Sequence, residues 1–274
     1  MLLERSDNQI MTTQYNVYVP PHEILRPYIA AYNILFPDRN MLSEKYTLIP
    51  DASGTLSFVY DGNGMRGELW GPSTQPNMIG SEANNYYFLL LIELKPCGLY
   101  QLTGIDQKEL SNLRIDLDAV DKSLNTSLCN SIEQSIDIND LINKLNTTLL
   151  SHMGDIYQTD TIMNMISKIN ENNGLLHVKE ISRLENYSER HLNRLFSKYV
   201  GMNVKLFLKI VRMNSAINEL QNSRGNFTFI AQQMGFYDQS HFIKDFKAIC
   251  GVSPVLYLKN MSDFSNETFQ SNVK

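Results

Sequence analysis

Apolar positions along the chain change their period twice. From about residue 15 to 118, short runs rich in β-branched and aromatic residues are separated by turn clusters. The runs are Tyr15 to Val19, Tyr46 to Ile49, Thr55 to Tyr60, Gly67 to Trp70 and Tyr86 to Leu94; among the turns are Pro50-Asp-Ala-Ser-Gly54, Asp61-Gly-Asn-Gly64 and Gly71-Pro-Ser. This pattern predicts antiparallel strands, with a short helix over His22 to Ala31. From about 121 to 172 the spacing becomes helical: Leu124, Leu128, Ile132 and Ile136 recur every fourth residue, followed by Leu141, Leu145 and Leu149, then Ile162, Met165, Ile166 and Ile169. These helices have enough Leu and Ile either to pair two chains or to pack on the strands. Glu171-Asn-Asn-Gly174 reads as a linker.

The last third carries a device twice. Ile230, Ala231 and Met234 sit at helical spacing before Gly235, which suits the left-handed conformation that ends a helix. Asp238 and Ser240 are N-cap candidates for a second helix, whose stripe Phe242, Phe246 and Ile249 closes at Gly251 and Ser253-Pro254. Upstream, Ile181 and Tyr187 match Ile230 and Phe236 at an offset of 49, and Leu192, Phe196, Gly201 and Phe207 match Phe242, Phe246, Gly251 and Tyr257 at 50. One residue inserted in the second turn accounts for the change. Asn186 takes the place of the turn glycine, being a side chain that tolerates αL, and Ser188 is the N-cap. A helix, a tight turn and a second helix with basic residues on its polar face is the pattern of a helix-turn-helix DNA reader.

These residues resemble the AraC/XylS transcription regulators. The second unit carries the family pattern as Ala231, Gly235-Phe236, Ser240-His241-Phe242, Phe246-Lys247 and Gly251-Val-Ser-Pro254. The resemblance covers roughly residues 170 to 260 and implies that Lys205 to Asn222, with Arg212, Ala216 and Leu220, connects the two units. It also implies base-facing positions at Glu189, Arg190, Asn193 and Arg194 in the first unit and Asp238, Gln239, Ser240 and Lys244 in the second; Lys247, apart from the resemblance, reads either as a phosphate contact or as contacting nothing. Phe242, Phe246, Leu192 and Phe196 read as core, and Arg190, Arg194, Lys244 and Lys247 are also what any solvated helix face carries. In the front part, Leu48-Ile-Pro-Asp-Ala-Ser-Gly-Thr-Leu-Ser-Phe58 and Leu94-Lys-Pro-Cys-Gly98 resemble an N-terminal sensor-type domain of some AraC-like regulators, although Ala52 and Leu94 depart from its pattern. That resemblance implies a cupin-like β-barrel followed by helices.

The expected fold class is therefore α+β: an antiparallel, cupin-like barrel plus helices, then an all-α part with two helix-turn-helix units. The expected division is a β-rich sensor-type domain at 1–120, a helical segment and linker at 121–172, the DNA-binding domain at 173–260 and a polar tail at 261–274.

Charge follows this division. Residues 175–260 hold 12 Lys+Arg against 6 Asp+Glu, whereas residues 1–174 hold 11 against 21, so the overall −5 conceals a basic segment joined to an acidic one. A basic segment of this size suits the phosphate backbone. The N-terminus lacks the apolar core of an export signal and the longest apolar run, Tyr86 to Ile92, ends at Glu93, so a cytoplasmic protein that does not span a membrane is expected. Cys97, Cys129 and Cys250 include no Cys-x-x-Cys pair, and the front part offers His22 alone toward a metal cluster. No nucleophile elbow, Walker lysine loop or dinucleotide fingerprint occurs. A cofactor, a metal and an enzymatic role are accordingly not expected. Tyr60, Trp70 and Tyr87 are candidates to line an effector pocket, although strand aromatics are more often core.

Three functions compete: a regulator whose β-domain senses a small molecule, a regulator whose front is a protein-interaction or dimerisation module, and a cupin-like enzyme. The first is the reading adopted. Double-stranded operator DNA is the expected partner, with a small-molecule effector, a second copy of the chain and RNA polymerase as further candidates.

Overall fold

The computed structural model describes residues 11–12, 16–153, 159–222 and 226–265. In the front half, β1 (Met11–Thr12), β2 (Asn16–Val19), β3 (Ile29–Leu35), β4 (Thr47–Leu48), β5 (Thr55–Tyr60), β6 (Met65–Trp70), β7 (Asn77–Met78) and β8 (Phe88–Leu94) precede two short helices, α1 (Gly98–Thr103) and α2 (Gln107–Leu110). Then come β9 (Arg114–Asp116), α3 (Leu117–Val120), α4 (Lys122–Glu133) and α5 (Ile138–His152). The rest is helical: α6 (Asp160–Glu171), α7 (Val178–Leu184), α8 (Glu189–Val200), α9 (Val204–Asn222), α10 (Phe227–Gln233), α11 (Gln239–Cys250) and α12 (Pro254–Lys259), followed by β10 (Phe264–Ser265). The chain is thus a mixed α/β protein with an antiparallel sheet at the front and helices behind.

The main sheet runs β1-β2-β3-β8-β5-β6-β9, with every pairing antiparallel. It is open, which corrects the expected closed barrel. Among the described residues β1 pairs only with β2 and β9 only with β6, so the two edges do not meet. The reason lies in α4 and α5. Their stripes Leu124, Leu128 and Ile132, and Leu141, Leu145 and Leu149, share one buried cluster with Ile34, Leu56, Phe58, Leu69, Leu90 and Ile92. Helices cover the apolar face, and the sheet has no need to close on itself. The same packing consumes the surface considered above for pairing two chains. Ile136, counted in that stripe, lies beyond the end of α4 and is 88% exposed.

The helix expected over His22 to Ala31 is also corrected. Only Glu23–Leu25 forms a 3-10 turn, capped by the His22 side chain, and Ile29 onward is central strand β3. Ile29, Tyr32 and Ile34 are fully buried, and Ala30 is displaced by a register shift between Ile29 and Ala31 that masks strand alternation in the sequence.

Helices α6 to α12 form a second cluster around Phe196, Phe207, Met213, Phe242, Phe246 and Tyr257. Three front residues, Ile49, Ala52 and Cys97, belong to it, so the front half contributes to this core. Burial pushes the Cys97 thiol well above its ordinary pKa. The expected linker Glu171–Gly174 is a tight turn. Asn173 and Gly174 have φ of 50° and 68°, and a Cβ on Gly174 would strike the Leu208 carbonyl and the Arg212 amide of α9. Within the expected polar tail at 261–274, Phe264 is buried, its ring 5.1 Å from that of Tyr257, and β10 pairs in parallel with β4. Residues 266–274 lie outside the described residues.

Candidate nucleic-acid interface

Helices α7 and α8, and α10 and α11, are joined by turns that begin alike, the second being one residue longer. Asn186 and Gly235 adopt φ of 56° and 63°. The following amides then donate five residues back, Tyr187 N–H to the Ser182 carbonyl and Phe236 N–H to the Ala231 carbonyl, at 3.1 and 2.8 Å. Beyond the turn, Ser188 accepts from His191 N–H at 3.2 Å and Asp238 from His241 N–H at 2.7 Å, so α8 and α11 are capped at equivalent positions. Both end at a left-handed glycine, Gly201 and Gly251. Even the core repeats: Phe196 meets Phe207 at 5.3 Å and Phe246 meets Tyr257 at 5.6 Å.

With Leu192, Phe196 and Val200, and Phe242, Phe246 and Ile249, facing the core, the opposite faces of α8 and α11 point outward. Glu189, Arg190 and Arg194 are exposed on α8; Gln239, Ser240, Lys244 and Lys247 are exposed on α11, with Asp238 at its cap. Not all of these side chains are unengaged. Asn193 is half-buried and its Oδ1 accepts from Val204 N–H at 3.2 Å, tying α8 to the start of α9. Asp238 is occupied as the N-cap, and Gln239 Oε1 accepts from the Thr228 hydroxyl at 3.0 Å. Among the described residues the side chains of Arg190, Ser240, Lys244 and Lys247 have no hydrogen-bond or ion-pair partner, while Arg194 contacts His191.

Sequence reasoning singled out none of His191, His241 or Tyr237. Tyr237 is 92% exposed in the turn before α11. The His191 ring stacks on Tyr187 at 4.6 Å and 26°, and that of His241 stands edge-on to Phe236 at 5.5 Å. The signal was present in the repeat itself, since the two histidines are 50 residues apart and their aromatic partners 49.

Helix α9 braces the second unit. Asp245 of α11 meets Lys209 at 2.9 Å, His241 at 3.5 Å and Arg212 at 3.9 Å, and the Arg212 guanidinium lies over the Phe236 ring at 4.6 Å. Burial pulls Arg212 below the usual arginine range, and Asp245 partly opposes that. The front half reaches the first unit. Ser111, just past α2, donates to the Gly201 carbonyl at 2.7 Å, Tyr100 packs edge-on against Tyr199 at 4.6 Å, and Lys198 lies over both rings. The Tyr100 side chain, bonded to its ammonium, holds Lys198 above the ordinary lysine range. These contacts fall on the C-terminal half of α8 and leave Arg190 and Arg194 open.

The structure does not bring all three effector candidates together. Tyr60 and Trp70 lie at opposite ends of the β5–β6 pair. Tyr60 meets the largely exposed Tyr87 at 6.3 Å, whereas Trp70 donates to Glu68 at 3.1 Å beneath the Arg114 guanidinium. A cavity of about 420 Å³ opens elsewhere, where Pro27, Ala30, Leu94 and Lys95 face Met163, Ile166 and Asn170 of α6. Among the described residues no group of three or more His, Cys, Asp or Glu side chains is placed to hold a metal, and no helix is long and apolar enough to cross a membrane.

Residues 181–260 match a family model described as a helix-turn-helix domain. The HTH-type transcriptional activator AarP of Providencia stuartii is 37% identical over 82 residues, 30% of this chain and 61% of its own. An uncharacterized HTH-type transcriptional regulator of Haemophilus influenzae is 33% identical over 86 residues, 31% of this chain and 29% of its own. The chain thus matches less than two thirds of either relative's length. The crystal structure of ToxT from Vibrio cholerae aligns with 85% of this chain and 92% of its own at 15% identity, with a TM-score of 0.39.

Proposed function

We propose that this chain is a DNA-binding transcriptional regulator of the AraC type, a reading supported by the helix-turn-helix match over residues 181–260 and by the likeness to a transcriptional activator, and that it reads an operator with two such units, α8 and α11 being the reading helices. The observation that carries this is the repeated geometry: two capped helices behind turns that each open on a left-handed residue, each presenting a solvent-facing cation at matched positions, Arg194 and Lys244. Arg190, Arg194, Ser240 and Lys244 reach base edges in this reading. Asn193, Asp238 and Gln239 contribute less, because each is already engaged within the protein. Lys247, one turn further along α11, contacts phosphate.

The basic segment supplies sequence-independent affinity, since neutralising phosphates releases counterions, and the directed side chains supply discrimination. The front half regulates binding. The cavity beside α6 supports a small amphipathic effector: its lining mixes Pro27, Ala30, Leu94 and Met163 with Ser53, Lys95 and Asn170, its volume suits a small ligand, and α6 shares the core of the reading helices.

Binding of the full-length chain to duplexes selected from a randomised library tests the reading. Arg190→Ala, Arg194→Ala or Lys244→Ala should each cost about 1 to 3 kcal/mol on the selected site and relax preference at one position. Lys247→Ala should weaken binding to all sequences alike and lower the salt slope by about one unit. Equal losses on selected and random DNA for the first three variants would refute the assignment.

A further inference from the structure

The two reading helices treat their cations differently, although both are capped and ended alike. Arg194 and Lys244 occupy matched positions, each three residues after a histidine. In the first unit the Arg194 Nη2 lies 3.1 Å from His191 Nδ1. A guanidinium has only donors, so Nδ1 must be the acceptor in this contact, which fixes the imidazole with its proton on Nε2. The ring is itself held, stacked on Tyr187 at 4.6 Å, and Tyr187 is fixed through the bond of Ser182 Oγ to its carbonyl and its own amide bond back to Ser182. A continuous chain of contacts therefore runs from the interhelical turn to the guanidinium.

In the second unit the corresponding histidine faces away from the reading cation. His241 Nδ1 accepts from Tyr237 N–H at 3.4 Å and its Nε2 lies 3.5 Å from Asp245, which Lys209 already pairs at 2.9 Å. Lys244 is left without a partner among the described residues, on a flexible stem.

We propose that His191 is a positioning residue for base recognition: it holds the Arg194 guanidinium in the orientation for a bidentate contact to guanine, so the first unit discriminates bases more sharply than the second. The proposal rests on the reading of α8 as a base-contacting helix. Guanine is the base whose O6 and N7 match the arginine fork. A fork fixed before binding loses less side-chain freedom on contact, and that saving falls on the matched base alone. Because Lys244 is a mobile point charge, its matched position should show weaker preference.

The test uses the full-length chain and a duplex it selects from a randomised library, with all four bases placed in turn at the position whose preference Arg194→Ala abolishes. His191→Phe keeps a ring over Tyr187 and removes the acceptor; His191→Asn removes the ring and keeps an acceptor near the place of Nδ1. His191→Phe is expected to reduce discrimination there by about fivefold or more, the low end of what such a contact is worth, and to leave other positions unchanged. His191→Asn should retain discrimination within about twofold of the parent chain. In an Arg194→Ala background His191→Phe should change nothing, since the two residues act as one unit. Unaltered discrimination in His191→Phe, or a loss spread evenly over all sequences, overturns the proposal while leaving the reading helix intact. If the parent chain selects no sequence, or Arg194→Ala changes no base preference, the underlying reading fails and this inference falls with it.

Discussion

Gly201 and Gly251 occupy the same place in the two repeats, yet replacing them with alanine should have unequal consequences. Both are left-handed, with φ of 84° and 78°, which costs an L-residue roughly 1 to 2 kcal/mol. Their surroundings differ. A Cβ on Gly201 would lie 2.5 Å from Ser111 Oγ and 2.9 Å from the Gln107 carbonyl, whereas one on Gly251 would meet only Pro76 Cγ at 3.2 Å. Accommodating the methyl group at 201 pushes α2 away from α8 and breaks the 2.7 Å bond from Ser111 to the Gly201 carbonyl, a further loss of about 1 kcal/mol. Gly201→Ala should therefore destabilise by about 2 to 3 kcal/mol and Gly251→Ala by about 1 to 2 kcal/mol.

Urea titration followed both by Trp70 fluorescence, which reports on the front sheet, and by far-ultraviolet ellipticity, dominated by the helices, measures the difference. Ser111→Ala alone should cost about 1 kcal/mol. Added to Gly201→Ala it should cost almost nothing, since the bond is already lost and the nearest obstructing atom is gone. Equal midpoint shifts for the two glycine variants, or strict additivity of Ser111→Ala with Gly201→Ala, would refute the view that the front half bears on the end of α8.

Two further outcomes follow from the front sheet and from α6. Arg114 bridges Glu68 and Glu82 at 2.9 and 2.7 Å, and its hydrogen bonds lower the Glu82 carboxyl from 4.5 to about 2. A depressed carboxylate stabilises the fold above its unfolded pKa and loses that contribution as pH falls through the folded value. Acid should therefore weaken the sheet progressively between about pH 4.5 and 2, and Arg114→Met should remove this part of the dependence, with fluorescence of Trp70, the sole tryptophan, as the measurement. Because Ile162, Met165, Ile166 and Ile169 of α6 are buried with the C-terminal helices, a fragment beginning at residue 159 should melt cooperatively well above one beginning at residue 170. Equal melting temperatures in calorimetry would mean that α6 is not part of that folding unit.

The repeat at offsets 49 and 50 was enough to place four helices, both left-handed turn residues, the N-cap Ser188 and both terminal glycines, because each depends on neighbours within one or two helical turns. Of the two cap candidates for α11 the structure takes Asp238 and not Ser240. The strands β5, β6 and β8 were legible for the same reason, their alternation and turns being local. Barrel closure was not, because whether two edges meet depends on what else covers the apolar face, and here α4 and α5 cover it. Strand β3 was hidden by its register shift and buried on both faces, so no alternation betrayed it. On the candidate site the sequence supplied residue types and helical faces. Tertiary structure decided which side chains were already engaged: Asn193 depends on where α9 begins, and Arg194 on the rotamer of a histidine stacked against a turn. Periodicity fixes the direction in which a residue leaves its helix, while a hydrogen bond between side chains requires a distance that only the packed chain sets.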